Sequence, residues 1–190
     1  MKVLITGGAG FIGSHIAEKF NNEGGEVFVV DNLSTGKRDN IPFIDEDHFY
    51  QNDVKDFELL EELVKVHQFD YVFHLAAMVS VVETVGKPVE SNGDNIDSTI
   101  HLLEANRQHN PNLKKFLFAS SAAIYGDLPD LPKSTDSKIN PLSPYAVQKF
   151  ASEQYTKIYH SLYNLPTVSL RFFNVYGPRQ NPESDYSGAV

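Results

Sequence analysis

The stretch Lys2-Val-Leu-Ile-Thr-Gly-Gly-Ala-Gly-Phe-Ile-Gly13 decides the fold. Its first part, Lys2–Thr6, is a short apolar run rich in β-branched residues, which predicts a buried strand. Three glycines follow at once with the spacing Gly7-x-x-Gly10-x-x-Gly13, and residues 14–20 then show helical periodicity. A strand, a tight turn and a helix in this order bring unpaired helix N–H groups to a position where a pyrophosphate can bind. The stretch therefore predicts a dinucleotide-binding turn.

An acidic residue ends the next predicted strand. That strand, Glu26–Val30, leads into Asp31, 18 residues after Gly13. A carboxylate here accepts hydrogen bonds from the adenosine ribose hydroxyls and repels a 2′-phosphate, so the sequence favours NAD over NADP. Lys37 and Arg38 leave one alternative open, which is that the loop after Asp31 binds a 2′-phosphate.

Strand and helix patterns alternate along the rest of the chain. This alternation predicts an α/β fold with a doubly wound parallel sheet of the Rossmann type and helices on both faces. Residues 120–143 are predicted to form a loop. The other predicted elements are strands at 49–51, 71–75, 115–119 and 166–171, and helices at 56–67, 91–109 and 144–163.

Length sets the expected domain organisation. The chain has 190 residues, enough for one α/β domain with a sizeable core. We predict an NAD-binding domain at 1–177 that also carries the catalytic residues. Residues 178–190 are then the start of a substrate-binding region that is largely absent from this sequence.

Composition excludes several classes of protein. The formal net charge of −9 disfavours nucleic acid as a partner, because binding it depends on cations that neutralise phosphates. The absence of cysteine excludes disulfides, a thiol nucleophile and a zinc ribbon. The most apolar window, Tyr71–Val82, is too short to span a membrane. The histidines are scattered, so we predict no metal site, and we expect a cytoplasmic protein.

A second group of residues predicts catalysis. Tyr145 and Lys149 lie four positions apart on a predicted helix and therefore on one face. A phenol has a pKa near ~10, and a neighbouring ammonium lowers it, which makes the phenol a better general base. Ser121 follows a predicted strand at the edge where ligands of parallel sheets bind. These three side chains predict hydride transfer at a carbinol carbon. His74, at another strand end, is expected to be a packed or capping residue.

Six segments resemble the motifs of one family. The chain is similar to the extended short-chain dehydrogenases/reductases, and among them to the nucleotide-sugar epimerases of the UDP-glucose 4-epimerase type. The spacing GxxGxxG, rather than GxGxxG, agrees with this family. The segments that carry the resemblance are Thr6–Gly13, Asp31–Gly36, His74–Ala77, Ser120–Gly126, Tyr145-x-x-x-Lys149 and Arg171–Gly177.

The resemblance implies roles for particular residues. Ser121, Tyr145 and Lys149 match the catalytic residues of the family. The implied substrate-binding residues are Ser80, Ser121 and Asn174. The implied NAD-binding residues are Gly7, Gly10, Phe11, Ile12, Gly13, Asp31, Asn32, Ser34, Asp53, Val54, Leu75, Ala76, Ala77, Asn95, Tyr145 and Lys149.

The residues after Ser121 distinguish branches of the family. Relatives that dehydrate nucleotide sugars carry an acid and a base there, whereas this chain has Ala122 and Ala123. The resemblance therefore implies NAD-dependent epimerisation at C4 of a nucleotide sugar, UDP-glucose, UDP-galactose or an N-acetyl analogue, through a 4-keto intermediate. Two alternatives are a catalytically incomplete NAD-binding module and a related reductase or uronate epimerase.

The resemblance also implies a homodimer. In the family, helices that correspond to 91–109 and 144–163 pair across a dimer axis. The predicted helix 144–163 carries more apolar surface, at Tyr155, Ile158 and Leu162, than one core face requires. The alternative is that this surface is buried within one subunit.

Overall fold

Six parallel strands form one sheet in the computed structural model, which describes residues 1–181. The strand order is β3-β2-β1-β4-β5-β6, so the chain winds outward from β1 in both directions. This order confirms the predicted Rossmann-type sheet. The strands are β1 (Lys2–Thr6), β2 (Glu26–Val30), β3 (Phe49–Tyr50), β4 (Tyr71–His74), β5 (Lys115–Ser121) and β6 (Thr167–Phe172).

Within the described residues, six α-helices connect the strands. The longest begins where the Ser143 side chain accepts a hydrogen bond from Ala146 N (3.2 Å) and Pro144 fills the first turn. It ends at Asn164, which adopts the left-handed conformation with φ 55°. The helices are α1 (Phe11–Asn22), α2 (Phe57–His67), α3 (Val81–Gly86), α4 (Pro88–Asn92), α5 (Ser98–His109) and α6 (Pro144–Tyr163).

Alternating side chains of the strands face two hydrophobic cores. In β1, Leu4 packs with residues of α2, α5 and α6, whereas Val3 and Ile5 pack on the other face with α1 and the segment 38–48. Helices thus cover both faces, as predicted. Three helices pack on one face, whereas one helix and the segment 38–48 pack on the other. Because β6 lies at the edge of the described sheet, Leu170 is 40% exposed.

The predicted elements differ from the structure at several places. Residues predicted as one helix, 91–109, are divided by a π-turn at Gly93–Asp97, and helix α3 was not predicted. The predicted loop 120–143 is wrong at its start, because β5 continues through Ser121 and a 3₁₀ turn spans Ala122–Tyr125. Small polar residues at the sheet edge hide strand continuation from a pattern based on apolar residues.

The segment after β6 returns to α1. His15 Nε2 lies 2.9 Å from the carbonyl oxygen of Pro178, and Arg179 forms an ion pair with Glu18 at 2.8 Å. The remainder of the predicted substrate-binding region, residues 182–190, lies outside the described residues. Within residues 1–181, no helix has the length and apolar character needed to cross a membrane.

Candidate active site

The glycine turn is built so closely that side chains do not fit. Gly7 has φ 72°, and a Cβ there would lie 2.8 Å from the backbone nitrogen of Ala76. A Cβ on Gly13 would lie 2.2 Å from the carbonyl oxygen of Gly7. Gly8, which was not predicted as a site residue, is equally constrained, since its Cβ would meet the Val29 side chain at 2.7 Å. The turn therefore has no room for a side chain at Gly7 or Gly13, and a ligand can approach its backbone closely.

Helix α1 begins directly after this turn. Its N-cap is Gly10, whose backbone is extended and which offers no side-chain cap. Phe11 and Ile12 are the first helical residues, and the first turn contains no acidic side chain. The positive end of the helix therefore points at the turn without a competing carboxylate. A pyrophosphate fits this arrangement.

Asp31 connects the end of β2 to the glycine turn. Its carboxylate accepts hydrogen bonds from Ala9 N (2.9 Å) and Leu33 N (2.8 Å). Burial raises the pKa of Asp31, and these backbone hydrogen bonds oppose the shift. The side chain is thus held in one orientation at the strand end, where an adenosine ribose would bind.

Of the two cations that could bind a 2′-phosphate, Lys37 and Arg38, the second is already engaged within the protein. Arg38 donates hydrogen bonds to the carbonyl oxygens of Ile41 and Ile44 and to Glu46, and it lies over the ring of Phe49 at 4.9 Å. Its guanidinium is therefore committed to its own loop, whereas Lys37 is exposed. The arrangement favours NAD.

Two predicted adenosine contacts lie together at the ends of β2 and β3. Asn32 Nδ2 donates to Asp53 Oδ2 (3.0 Å), and Asn32 Oδ1 accepts from Ser34 N (2.9 Å). Val54 is 7% exposed and belongs to the core, so it offers little surface to a ligand. Polar groups at this end of the sheet are thus already organised in the protein.

The loop after β4 lies against the glycine turn. Leu75 N and Ala76 N both donate to Thr6 O at 3.1 Å, and Ala77 follows them. His74, the last residue of β4, is fully buried, with Nδ1 2.7 Å from Thr6 Oγ1 and Nε2 3.1 Å from Thr99 Oγ1. Burial, together with the nearby charge of Lys149, lowers the pKa of His74 to about 3. His74 is therefore a neutral packed residue near neutral pH.

The predicted catalytic residues lie on β5 and α6. Lys149 is 3% exposed, and its Nζ lies 5.9 Å from the ring centre of Tyr145 and 5.0 Å from that of Phe118. Burial lowers the pKa of Lys149 to about 8. Ser121 ends β5, and its Oγ accepts a hydrogen bond from Ala123 N at 3.1 Å. A buried cation beside a phenol can stabilise the phenolate.

The sequence analysis did not predict an ion pair behind these residues, in which Glu153 is buried and Arg171 is partly buried. Glu153 Oε1 accepts from Arg171 Nη2 (2.7 Å), and Glu153 Oε2 accepts from Ser120 Oγ (2.6 Å). Arg171 Nη1 also donates to the Tyr125 hydroxyl at 2.7 Å. Glu153, Arg171 and Tyr125 line a cavity of about 490 Å³. The spacing Tyr145, Lys149, Glu153, which places all three on one face of α6, was the available signal.

Three other predicted site residues lie in three different environments. Ser80 caps α3, accepting from Glu83 N at 3.2 Å, and Asn174 is exposed on the segment after β6. Asn95 is buried, and its amide is hydrogen-bonded to Met78 and Gln148. In the part of the chain that the structure describes, no group of three His, Cys, Asp or Glu side chains could hold a metal ion.

A family model and a curated relative match almost the whole chain. Residues 3–190 match the NAD dependent epimerase/dehydratase family. A putative UDP-glucose 4-epimerase of Methanocaldococcus jannaschii is 40% identical over 96% of this chain and 59% of that protein.

Two solved structures are also similar. UDP-glucose 4-epimerase of Thermotoga maritima, solved with UDP-glucose, is 40% identical with a TM-score of 0.89, over 97% of this chain and 59% of that one. The dTDP-glucose 4,6-dehydratase DesIV of Streptomyces venezuelae, solved with NAD, is 30% identical with a TM-score of 0.87 and the same coverage. The chain thus spans about three-fifths of the length of these relatives.

Proposed function

The chain belongs to the NAD dependent epimerase/dehydratase family, and from that premise we propose that it epimerises a nucleotide sugar at C4, either UDP-glucose and UDP-galactose or an N-acetyl analogue. The observation that carries the proposal is the buried Lys149 beside Tyr145 on α6, at the carboxyl edge of a sheet that fits NAD. The relatives named as UDP-glucose 4-epimerases support the choice of sugar.

Tyr145 is the proposed general base. The Tyr145 phenolate, which the Lys149 ammonium stabilises, takes the proton of the C4 hydroxyl. The Ser121 hydroxyl, at the end of β5, hydrogen-bonds the same sugar oxygen. NAD, held by the glycine turn and Asp31, would supply the acceptor and donor of the hydride at C4, with a 4-keto sugar as the intermediate. The proton then returns from Tyr145.

The residues beside Ser121 support epimerisation over dehydration. Elimination of water from the sugar needs an additional acid and base, and the 3₁₀ turn that follows β5 opens with Ala122 and Ala123. Neither methyl side chain can donate or accept a proton. The site therefore provides for removal and return of hydride at C4 and for no second proton transfer at these two positions.

The proposal extends to organisation and assembly. Residues 1–177 form the NAD-binding domain with the catalytic residues, and 178–190 begin the substrate-binding region. The exposed Ile158 (44%) and Leu162 (67%) on α6 support a homodimer through the helices at 91–109 and 144–163. A cytoplasmic location follows from the proposed reaction, which uses NAD and nucleotide sugars.

A second candidate function is an NAD-binding module without turnover. It is favoured by one observation, which is that the chain spans about three-fifths of the relatives' length. Asn174, which the family resemblance implies as a substrate-binding residue, is exposed here. Under this candidate, NAD binds and no sugar is converted.

Product analysis distinguishes the candidates. The chain is incubated with NAD and UDP-galactose, then UDP-N-acetylgalactosamine, beside Tyr145→Phe. Formation of the C4 epimer without net NADH, lost by about 10²-fold or more in Tyr145→Phe, is the expected result. NAD binding without formation of an epimer would contradict epimerisation by this chain and would support the second candidate, the NAD-binding module. In a parallel incubation with NADPH in place of NAD, net oxidation of NADPH would instead indicate a reductase.

A further inference from the structure

The segment after β6 crosses the carboxyl edge of the sheet. Strand β6 ends at Phe172, and Gly177 lies against α1, since a Cβ on Gly177 would be 3.5 Å from the Phe11 ring. Strands β5 and β4 lie between β6 and β1, so the segment covers about 14 Å at the usual strand spacing. Five residues reach at most about 17 Å when fully extended. Residues 173–177, which we call the strap, therefore pass directly over the ends of β5 and β4.

The strap crosses the edge of the sheet where half of a dinucleotide binds. Ligands of open parallel sheets bind outside the carboxyl ends of the strands, at the point where the strand order reverses. That point is β1, which lies between β2 and β4. Asp31, at the end of β2, marks the adenosine side. The nicotinamide half of NAD then extends toward β4 and β5, on the side that the strap crosses.

The far end of the strap is attached to one face of α1. Phe11, His15 and Glu18 share this face, at intervals of four and three residues. His15 Nε2 lies 2.9 Å from the carbonyl oxygen of Pro178, and Arg179 Nη2 donates to Glu18 Oε2 at 2.8 Å. Because a carbonyl oxygen only accepts, the His15 ring donates this hydrogen bond. A hydrogen bond and an ion pair thus join the strap to the helix that follows the glycine turn.

Packing within the strap itself is sparse. Phe173, Val175 and Tyr176 are all exposed, Tyr176 by 75%. Apolar side chains that face away from the core do little to fix a segment. The position of the strap therefore depends on its two ends, β6 on one side and the contacts with α1 on the other.

Opposing contributions make the attachment to α1 weak. Arg179 has φ 66°, in the left-handed region that is unfavourable for a residue with a Cβ. Among the described residues, its Nη1 is buried without a hydrogen-bond partner, which is also unfavourable. The ion pair with Glu18 is partly exposed, and such pairs stabilise only modestly. The closed position of the strap is therefore only slightly favoured.

We propose that Glu18 and Arg179 hold the strap closed over the nicotinamide side of the cofactor crevice, and that NAD enters and leaves when this ion pair opens. NAD has to pass the strap in both directions. Weakening the attachment should therefore accelerate binding and release alike and leave their ratio, the dissociation constant, nearly unchanged. The inference concerns exchange of the cofactor and is independent of which sugar is converted.

Surface plasmon resonance with the immobilised chain gives both rate constants. In Arg179→Met, the association and dissociation rates of NAD are each expected to rise about threefold, with the Kd changed by less than about twofold, because loss of a partly exposed ion pair shifts the opening of the strap by this order. Glu18→Gln removes the same pair from the α1 side and should match it. ADP, which lacks the nicotinamide half, should exchange at the parent rates in every variant.

Glu23→Gln is the matched control. Glu23 pairs with Lys19 at 2.7 Å at the end of α1, so this variant also removes an ion pair from the helix but leaves the strap attached. Both NAD rates should equal those of the parent.

Reversal of the charges gives the sharpest comparison. Arg179→Glu places two carboxylates opposite each other and should give the fastest NAD exchange of the set. The double variant Glu18→Arg/Arg179→Glu restores an attractive pair, so its rates should return toward those of the parent.

Three results would overturn the proposal. A weaker NAD affinity with an unchanged association rate in Arg179→Met would show that Arg179 stabilises the bound cofactor instead of limiting its passage. Equal acceleration of ADP exchange would show that the ion pair affects the glycine turn. Unchanged NAD rates in Arg179→Glu would show that the strap does not obstruct the crevice.

Discussion

The carboxyl edge of the sheet is built differently on its two sides. On the side of β1 to β3, the site is shaped by backbone: the glycine turn leaves no space for a Cβ at Gly7 or Gly13. On the side of β4 to β6, it is shaped by buried polar groups, among them His74, Lys149 and Glu153. The first side depends on close steric fit and the second on paired charges and hydrogen bonds. Substitutions on the two sides should therefore act differently, through steric clashes on the first side and through unpaired polar groups on the second.

The largest expected effect comes from unpairing a charge on the β4 to β6 side. Arg171→Met leaves the Glu153 carboxylate, whose side chain is 10% exposed, without its cation. Loss of one partner of a buried ion pair is strongly destabilising, so we expect the free energy of unfolding to fall by about 3 kcal/mol. Urea denaturation followed by circular dichroism measures this change.

The double variant Arg171→Met/Glu153→Gln is the control for that experiment. It removes the stranded charge as well as the cation, so it should recover a substantial part of the lost stability. If the double variant is as unstable as the sum of the two single variants, the charge pairing described for this side of the sheet is not what stabilises it.

The β1 to β3 side should respond to a single methyl group. In Gly13→Ala the new Cβ would meet the backbone oxygen of Gly7, at 2.2 Å, so the turn must move. We expect a cost of about 2 kcal/mol, seen as an NAD affinity about 30-fold weaker by calorimetry. Gly86→Ala is the matched control, because its Cβ would enter open space, and it should bind NAD as the parent does.

The same contrast decides what could be predicted from sequence. The strand Lys2–Thr6, the glycine turn after it and the helix that follows are predicted correctly, because the backbone geometry they require is encoded within a few adjacent residues. The parallel sheet with helices on both faces follows from the alternation of strand and helix patterns along the chain. These features are encoded by residues that lie close together in the sequence.

The β4 to β6 side was predicted less completely because its contacts join distant residues. Glu153 meets Ser120 across 33 positions and Asn95 meets Gln148 across 53. A polar residue that is buried with a partner cannot be distinguished in the sequence from an exposed one. For the same reason, Asn95 was predicted as a cofactor contact on family resemblance, whereas its buried hydrogen bonds appear only in the structure.

The buried Lys149 gives the β4 to β6 side a pH dependence. Its pKa is lowered from 10.5 to about 8 by burial, so between these values the unfolded chain binds more protons than the folded one. Stability must therefore rise with pH across this window, by on the order of 1–2 kcal/mol between pH 8 and 10. Denaturation at several pH values should show this rise in the parent and not in Lys149→Met. A parent curve that parallels the variant would refute the assignment.

The smallest effect distinguishes two adjacent serines. Ser120 Oγ donates to Glu153 at 2.6 Å and is 3% exposed, whereas Ser121 Oγ accepts from Ala123 N at the start of a short 3₁₀ turn. Ser120→Ala should therefore cost about 1 kcal/mol of unfolding free energy, and Ser121→Ala only about half of that. Epimerase activity should show the reverse order, with the greater loss in Ser121→Ala. If Ser120→Ala caused the greater loss in both measurements, structure and catalysis would not be divided between the two serines, and the charged cluster behind the site would itself contribute to catalysis.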